Sequence, residues 1–335
     1  MESIYCPDRR QFVRTLSALA IGSAAASGHA ASPTPAATPW RPTRPVTLVV
    51  PFGAGGGADY VARAISKPLA TMWGQSVIVE NVPGADGLLG TKRAMDASPD
   101  GHTLLIHLTS LLLMKHLPSL KGIDPLARLE PISQLAISHP VLVVGPSLPV
   151  NTFKELVAYC KRSDARCSAG FNENLSKLGV KKFVNDFGFK DLVAASYRNT
   201  TTLVTDISAG EVTFAFTGAT AALPLYKAGK LKILAASGSK RSKVLPDIPS
   251  SDESGWSTAD SVDPWYALFA PKGTAPAITE AVARSVMQLA GDLDIQRALD
   301  FVGAEPVFSS TAQFATRIRT DNMRLADMAR RFPFE

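Results

Sequence analysis

Four glycines fill five positions at Gly53, Gly55, Gly56 and Gly57, directly after the apolar run Val46–Val50 and directly before a helical pattern. Glycine costs conformational entropy on folding, so such a cluster implies a backbone that something must approach closely. Three chemistries use a strand, a glycine-rich turn and a helix. The first is dinucleotide binding, with Glu80 at the end of the next strand as the ribose ligand. Here Gly53, Gly55 and Ala58 match only its degenerate form, and Pro51-Phe52 separates the strand from the glycines. A phosphate-binding P-loop is excluded, because no Gly-Lys-Ser/Thr follows. The second is hydrolysis, but the chain has neither a Gly-x-Ser-x-Gly elbow nor a His-Glu-x-x-His pair. The third is anion capture without chemistry. A helix N-terminus offers unpaired N–H groups and the positive end of the helix dipole. Gly55, Gly56 and Gly57 would let a carboxylate reach the main chain. Asp59, at the helix start, would repel that anion if it faced it, so it reads as a cap on the loop N–H groups that faces away.

The remaining titratable residues add little chemistry. His102 and His107 share a strand, and a spacing of five puts them on opposite faces, so they cannot hold one ion. His116 and His139 stand singly. Cys160 lies near the end of a predicted helix and Cys167 at the start of a predicted strand; a disulfide and two separate packed thiols are both open readings. No metal and no cofactor is expected.

Elements that alternate between strand and helix must position these residues. "RPVTLVVPFGAGGGADYVARAI" reads as strand, loop and helix, with Val61, Ile65, Leu69 and Met72 on one buried face and Pro68 ending or kinking the helix. "SVIVEN", "HTLLIHLTS", "PVLVVGP", "ARCSAGF", "LVAASYRNT", "VTFAFTG", "LKILAAS" and "WYALFAP" read as further strands. Helices fall between most of them, and two more are predicted near 276–291 and 311–330. The alternation favours an α/β fold with parallel strands and helices on the sheet faces. The stretch 238–263, with Pro246, Pro249 and Gly255, reads as a polar surface connection. Breaks near 138–145 and 238–248 imply two αβ sets, the second inserted into the first, with a cleft at the C-terminal ends of the strands.

The chain has 335 residues, 46% of them hydrophobic, and a net charge of +6. Its basic residues are scattered, which argues for solvated surface charge and against nucleic acid. Residues 1–30 differ from the rest: Arg9, Arg10 and Arg14 precede a short apolar core and a small-residue exit, the pattern of an export signal cleaved near Ala30. The core is too short for a membrane span. Arg9-Arg10-Gln11-Phe12 resembles a twin-arginine signal, with the general secretory route as the alternative. Residues 31–40, rich in Pro, Ala and Thr, read as a flexible linker.

"RPVTLVVPFGAGGGADYVAR", "VIVENVPGADGLLGTKRA", "LKILAASGSKRSKVLPDIP", "WYALFAPKGTAP" and "FVGAEP", in this order, resemble the solute receptors of tripartite tricarboxylate transporters, the Bug receptors. The resemblance covers about Arg41 to Arg330. It implies a two-lobed periplasmic-binding-protein fold of type II character. Each lobe would be a mixed sheet flanked by helices, with lobe 1 from 41–140 and 245–335, lobe 2 from 141–244, and a hinge of two crossing segments. It implies a monomeric periplasmic receptor, no catalysis and no cofactor. The solute would be a small carboxylate, passed to membrane permease subunits or reported to a sensor protein.

By the same resemblance, Phe52, Gly53, Gly55, Gly56, Gly57, Ala58 and Asp59 form the first carboxylate grip, and Pro83 to Gly87 a second turn, where Asp86 replaces a usual glycine. Thr109 and Ser110 end the third strand beside the cleft. Lobe 2 would contribute Ser168, Ala169, Gly170, Asn172, Tyr197, Arg198, Asn199, Thr200 and Thr217. Asp206 matches a usual family Asp and reads as a structural hydrogen-bond partner. The family's Gly-Ser-rich loop and His are replaced here by "SAGFNENLSKLG", so side chains of Asn172, Asn174, Arg198 and Asn199 would stand in for backbone donors. Arg198 could grip a distal carboxylate in bidentate fashion.

Overall fold

The computed structural model describes residues 40–120, 123–162, 166–189, 191–257 and 262–334. The predicted export signal and all of the predicted linker except Trp40 lie outside the described residues.

Strand β1 (Val46–Val50) carries four fully buried residues of five and leads through the glycine turn into α1 (Gly57–Trp73). β2 (Val77–Asn81), α2 (Leu88–Met95) and β3 (Thr103–Leu108) follow. β4 (Leu129–Ser138) and β5 (Pro140–Val144) are separated by His139 alone. Next come α3 (Phe153–Cys160), β6 (Ser168–Phe171), α4 (Asn174–Phe187), β7 (Val193–Ser196), α5 (Thr200–Ala209) and β8 (Phe214–Gly218). The chain continues with α6 (Ala219–Lys227), β9 (Lys232–Ala236), β10 (Trp265–Pro271), α7 (Pro276–Met287), α8 (Leu293–Phe301), β11 (Ala304–Pro306) and α9 (Thr311–Arg331).

The strands form two mixed sheets. One is ordered β11-β4-β10-β3-β1-β2, the other β7-β6-β8-β5-β9. β1 runs parallel to β2 and β3, whereas β10 is antiparallel to β3 and β4. In the second sheet β6 is parallel to β7 and β8, and β5 is antiparallel to β8 and β9. The wholly parallel arrangement that alternation favours is thus broken by β10, β5 and the edge strand β11, which is antiparallel to β4. Of these, β5 and β10 follow the two crossings between the sheets, at 139 and at 237–264. Each sheet carries apolar clusters, such as Val61, Ile65 and Leu69 against Leu48 and Ile106 in the first, and Phe153 against Phe183 and Phe214 in the second.

Several elements depart from the sequence reading. Pro68 neither ends nor visibly limits α1, which continues to Trp73 and stops at Gly74 in left-handed geometry. Proline there denies Ala64 its i+4 donor, a cost offset by the buried stripe of Val61, Ile65, Leu69 and Trp73. β4 was hidden by its polar residues. Ser133 and Gln134 are buried because Ser133 Oγ donates to the Ser309 carbonyl at 2.7 Å and Ser309 Oγ accepts from Gln134 N–H at 3.0 Å. Pro131 lies at a register irregularity, where a missing N–H is tolerated. α6, which runs through Pro224, and α8, capped by Asp292, also escaped the periodicity argument. The stretch 238–263 is no mere surface connection, since Leu245, Ile248 and Trp256 are buried in the second sheet's clusters. Cys160 and Cys167 form a disulfide that closes the turn from α3 to β6.

Candidate functional site

The C-terminal ends of strands from both sheets converge on one cavity of about 950 Å3. From the first sheet come the turn after β1, the turn after β2 at Pro83–Gly87, and Leu108 to Ser110 after β3. From the second come Asn172 to Ser176 after β6, Ser196 to Thr201 after β7, and Phe216 to Gly218 with Thr220 and Ala221 where β8 enters α6.

The glycine turn faces this cavity through Phe52, Gly53, Gly56, Gly57 and Ala58. No side chain caps α1 at Gly56, and Tyr60 is the first residue to bond back, to the Gly56 carbonyl at 3.0 Å. The N–H groups of the first helical residues therefore have no intrahelical acceptor. Gly57 is required sterically. A Cβ there would lie 2.1 Å from the Tyr266 hydroxyl and 3.1 Å from Thr220 Oγ1, so the starts of α1 and α6 adjoin. α6 is also uncapped, with Gly218 at its N-cap. Among the described residues the Thr217 hydroxyl, 2% exposed, has no hydrogen-bond partner. Two open helix ends and an unpaired buried hydroxyl thus meet the same cavity.

Gly55 and Asp59 do not line the cavity. Gly55 turns away at φ +82°, and its N–H donates to Asp59 Oδ2 at 2.9 Å, the cap expected of that aspartate. Burial works to raise the Asp59 pKa, but the Arg63 and Gly55 hydrogen bonds outweigh it and hold the carboxyl below its usual range. Ser168, Ala169 and Gly170 are likewise not at the surface of the cleft. They form β6: Ser168 N–H donates to Thr213 Oγ1 at 3.0 Å, Ala169 is fully buried, and a Cβ on Gly170 would collide with Leu203.

Thr109, Ser110, Asn172, Tyr197, Arg198, Asn199, Thr200 and Thr217 do line it. Several are already engaged. Thr109 Oγ1 accepts from Trp265 N–H at 2.7 Å, Asn172 Nδ2 donates to Thr200 Oγ1 at 2.9 Å, and Asn199 Oδ1 caps α5 through Thr202 N–H at 2.8 Å. Tyr197 donates to Asp206 Oδ2 at 2.9 Å, so Asp206 has the structural role expected of it and Tyr197 offers the cleft its ring. Burial, with Asp206 beside it, raises the Tyr197 pKa. Arg198 is exposed and has no charged partner among the described residues.

The sequence reading missed Glu173, Lys182, Tyr266, Thr220 and Trp256, all in the cavity wall. Glu173 is the N-cap of α4: its carboxylate accepts from Leu175 N–H at 3.1 Å and Ser176 N–H at 2.8 Å, and it also meets the Ser110 hydroxyl from the other sheet. Burial raises its pKa despite these bonds. The signal was present as an acid three residues before Ser176 at a helix start, a reversed capping box. Lys182 pairs with Asp186, which also accepts from Trp256 Nε1 at 2.8 Å. The Tyr266 hydroxyl meets Ser138 and Thr220, and Thr220 donates to the Val302 carbonyl at 3.0 Å, a polar link beneath the cleft between the two sheets' neighbourhoods.

Residues 61–330 match the family model described as "Tripartite tricarboxylate transporter family receptor". The chain belongs to that family. This makes it a receptor rather than an enzyme, in agreement with the resemblance carried by the glycine turn. The receptor is 30% identical over 317 residues to Protein BugT of Bordetella pertussis, covering 92% of this chain and 95% of the relative. The solved structure of the periplasmic binding protein BugD is 28% identical with a TM-score of 0.80, covering 88% of this chain and 99% of that one. R. palustris Rpa4515 with adipate is 27% identical with a TM-score of 0.80, covering 86% and 97%. The receptor's two-sheet α/β architecture is that of these two-lobed binding proteins.

Proposed function

We propose that this receptor works in the periplasm, captures a small organic carboxylate between its lobes and delivers it to the permease of a tripartite membrane transporter. Lobe 1 comprises 41–140 and 245–335, and lobe 2 comprises 141–244. The observation that carries the reading is the uncapped start of α1 at Gly56, Gly57 and Ala58, facing the cavity beside the unpaired Thr217 hydroxyl. Unpaired main-chain N–H groups at the positive end of a helix dipole bind a carboxylate without any side-chain charge. Phe52 and the Tyr197 ring supply apolar walls for the ligand's carbon chain. The adipate held by a related structure supports the same ligand class.

Binding first at lobe 1 and then closing lobe 2 over the ligand is a hinge motion driven by contacts made only in the closed state. The export signal would be removed near Ala30 before the receptor reaches its compartment. A thermal-shift screen of carboxylic acids tests ligand class: an acid at about 100 times its dissociation constant adds about 2.7 kcal/mol of stability. Stabilisation by neutral analogues equal to that by the acids would refute carboxylate recognition. Co-purification of a large multi-span permease subunit with the immobilised, ligand-loaded receptor tests delivery; recovery of a sensor protein in its place would contradict it.

A further inference from the structure

The cavity is chemically polarised, and one end is already occupied by the receptor's own carboxylate. Three helices of the second sheet begin at its wall. Glu173 closes the start of α4 by accepting from Leu175 and Ser176 N–H groups, and Asn199 closes the start of α5. Only the start of α6, at Gly218, has no side-chain cap among these three, and it adjoins the open start of α1. An anion thus finds uncapped main-chain donors at the α1–α6 junction, whereas side chains take up part of those at α4 and α5.

The Glu173 side brings acceptors. Its carboxylate reaches across to the Ser110 hydroxyl, and Asp86 lines the same part of the wall from the turn after β2. Lys182 in the cavity wall is paired with Asp186, and Lys177, which shares a wall with Glu173 and Asp86, lies over the Phe334 ring. Arg198 stands exposed at the rim, where solvent and salt screen it. Tyr266, whose hydroxyl borders the α1–α6 junction, lines the same cavity as Glu173.

We infer that Glu173 determines specificity, so that the ligand is a monocarboxylate with a hydrogen-bond donor, an amide or an ammonium, a few atoms from its carboxyl group. This rests on the carboxylate-receptor reading above. A dicarboxylate would set its second carboxylate against Glu173 in a partly dry site, where like charges are costly. An amide or ammonium would instead take the place of the Ser110 hydroxyl on the Glu173 carboxylate.

Matched probes test this by titration calorimetry: succinate, succinamate and 4-aminobutyrate, then adipate and 6-aminohexanoate. The wild-type receptor is expected to bind at least one donor-bearing acid about tenfold or more tightly than its dicarboxylate partner. In Glu173→Gln, which keeps a capping oxygen but removes the charge, that preference should fall to about threefold or less. A dicarboxylate bound as tightly as its partners by wild type, or a preference unchanged in Glu173→Gln, overturns the inference. If such dicarboxylate binding is still lost in Gly56→Val, the carboxylate-receptor reading survives and only the role of Glu173 falls. Failure of every acid to bind overturns both. Should Glu173→Gln fail to fold, the wild-type preference alone decides.

Discussion

Adjacent glycines in the first turn have separable roles. Gly56 sits at φ −82°, and a Cβ there would meet nothing nearer than the Gly53 carbonyl at 3.6 Å. A Cβ on Gly57 would lie 2.1 Å from the Tyr266 hydroxyl. Gly56→Ala should therefore leave the melting temperature unchanged or slightly raised, whereas Gly57→Ala should cost about 1–3 kcal/mol through overpacking. Equal denaturation midpoints for the two would refute the steric assignment. His107 supplies a pH dependence. It is fully buried, and burial pushes its pKa down to about 4, with Leu108 N–H donating to its Nδ1. The unfolded chain binds a proton below pH 6.5 that the folded chain refuses until about 4, so stability falls as pH drops through that window. The loss from this residue amounts to about 3 kcal/mol and should be largely absent in His107→Gln. A flat stability profile between those pH values in wild type would contradict the neutral buried imidazole.

Helices and strands with a clear apolar period were legible in the sequence, and those whose polar residues are satisfied within the fold were not. β1 and α1 could be read because Val46–Val50 and the Val61, Ile65, Leu69 stripe face one core. β4 could not, because its buried Ser133 and Gln134 depend on Ser309, 175 residues away from Gln134. The glycine turn that opens α1 onto the cavity was legible from residue type alone. Asp86 at φ +53° explains why a glycine would serve that position. Glu173 was legible as a helix cap from its spacing to Ser176, but its place in the cleft was not, because that depends on α4 packing beside the turn after β3. The disulfide at the α3–β6 corner constrains one short loop. Replacing Cys160 and Cys167 together by Ala should lower stability by about 2–3 kcal/mol, read as a shifted denaturation midpoint. No shift would mean the two thiols are not linked in the purified protein.

At the scale of the molecule, two sheets are joined by two crossings, at 139 and at 237–264, and by the Tyr266–Thr220–Val302 link beneath the cleft. Such a frame can close over a ligand while its sheets move as units, so saturating carboxylate should reduce the radius of gyration in solution scattering; an unchanged value would argue against closure. The central claim is more local: the main-chain N–H groups that open α1 hold the ligand's carboxylate. The most direct measurement is the 15N–1H spectrum titrated with the acid that most raises the melting temperature in the screen. The largest downfield amide shifts are predicted at Gly57 and Ala58. Shifts confined to residues away from the start of α1, with those two amides unmoved at saturation, would contradict the account.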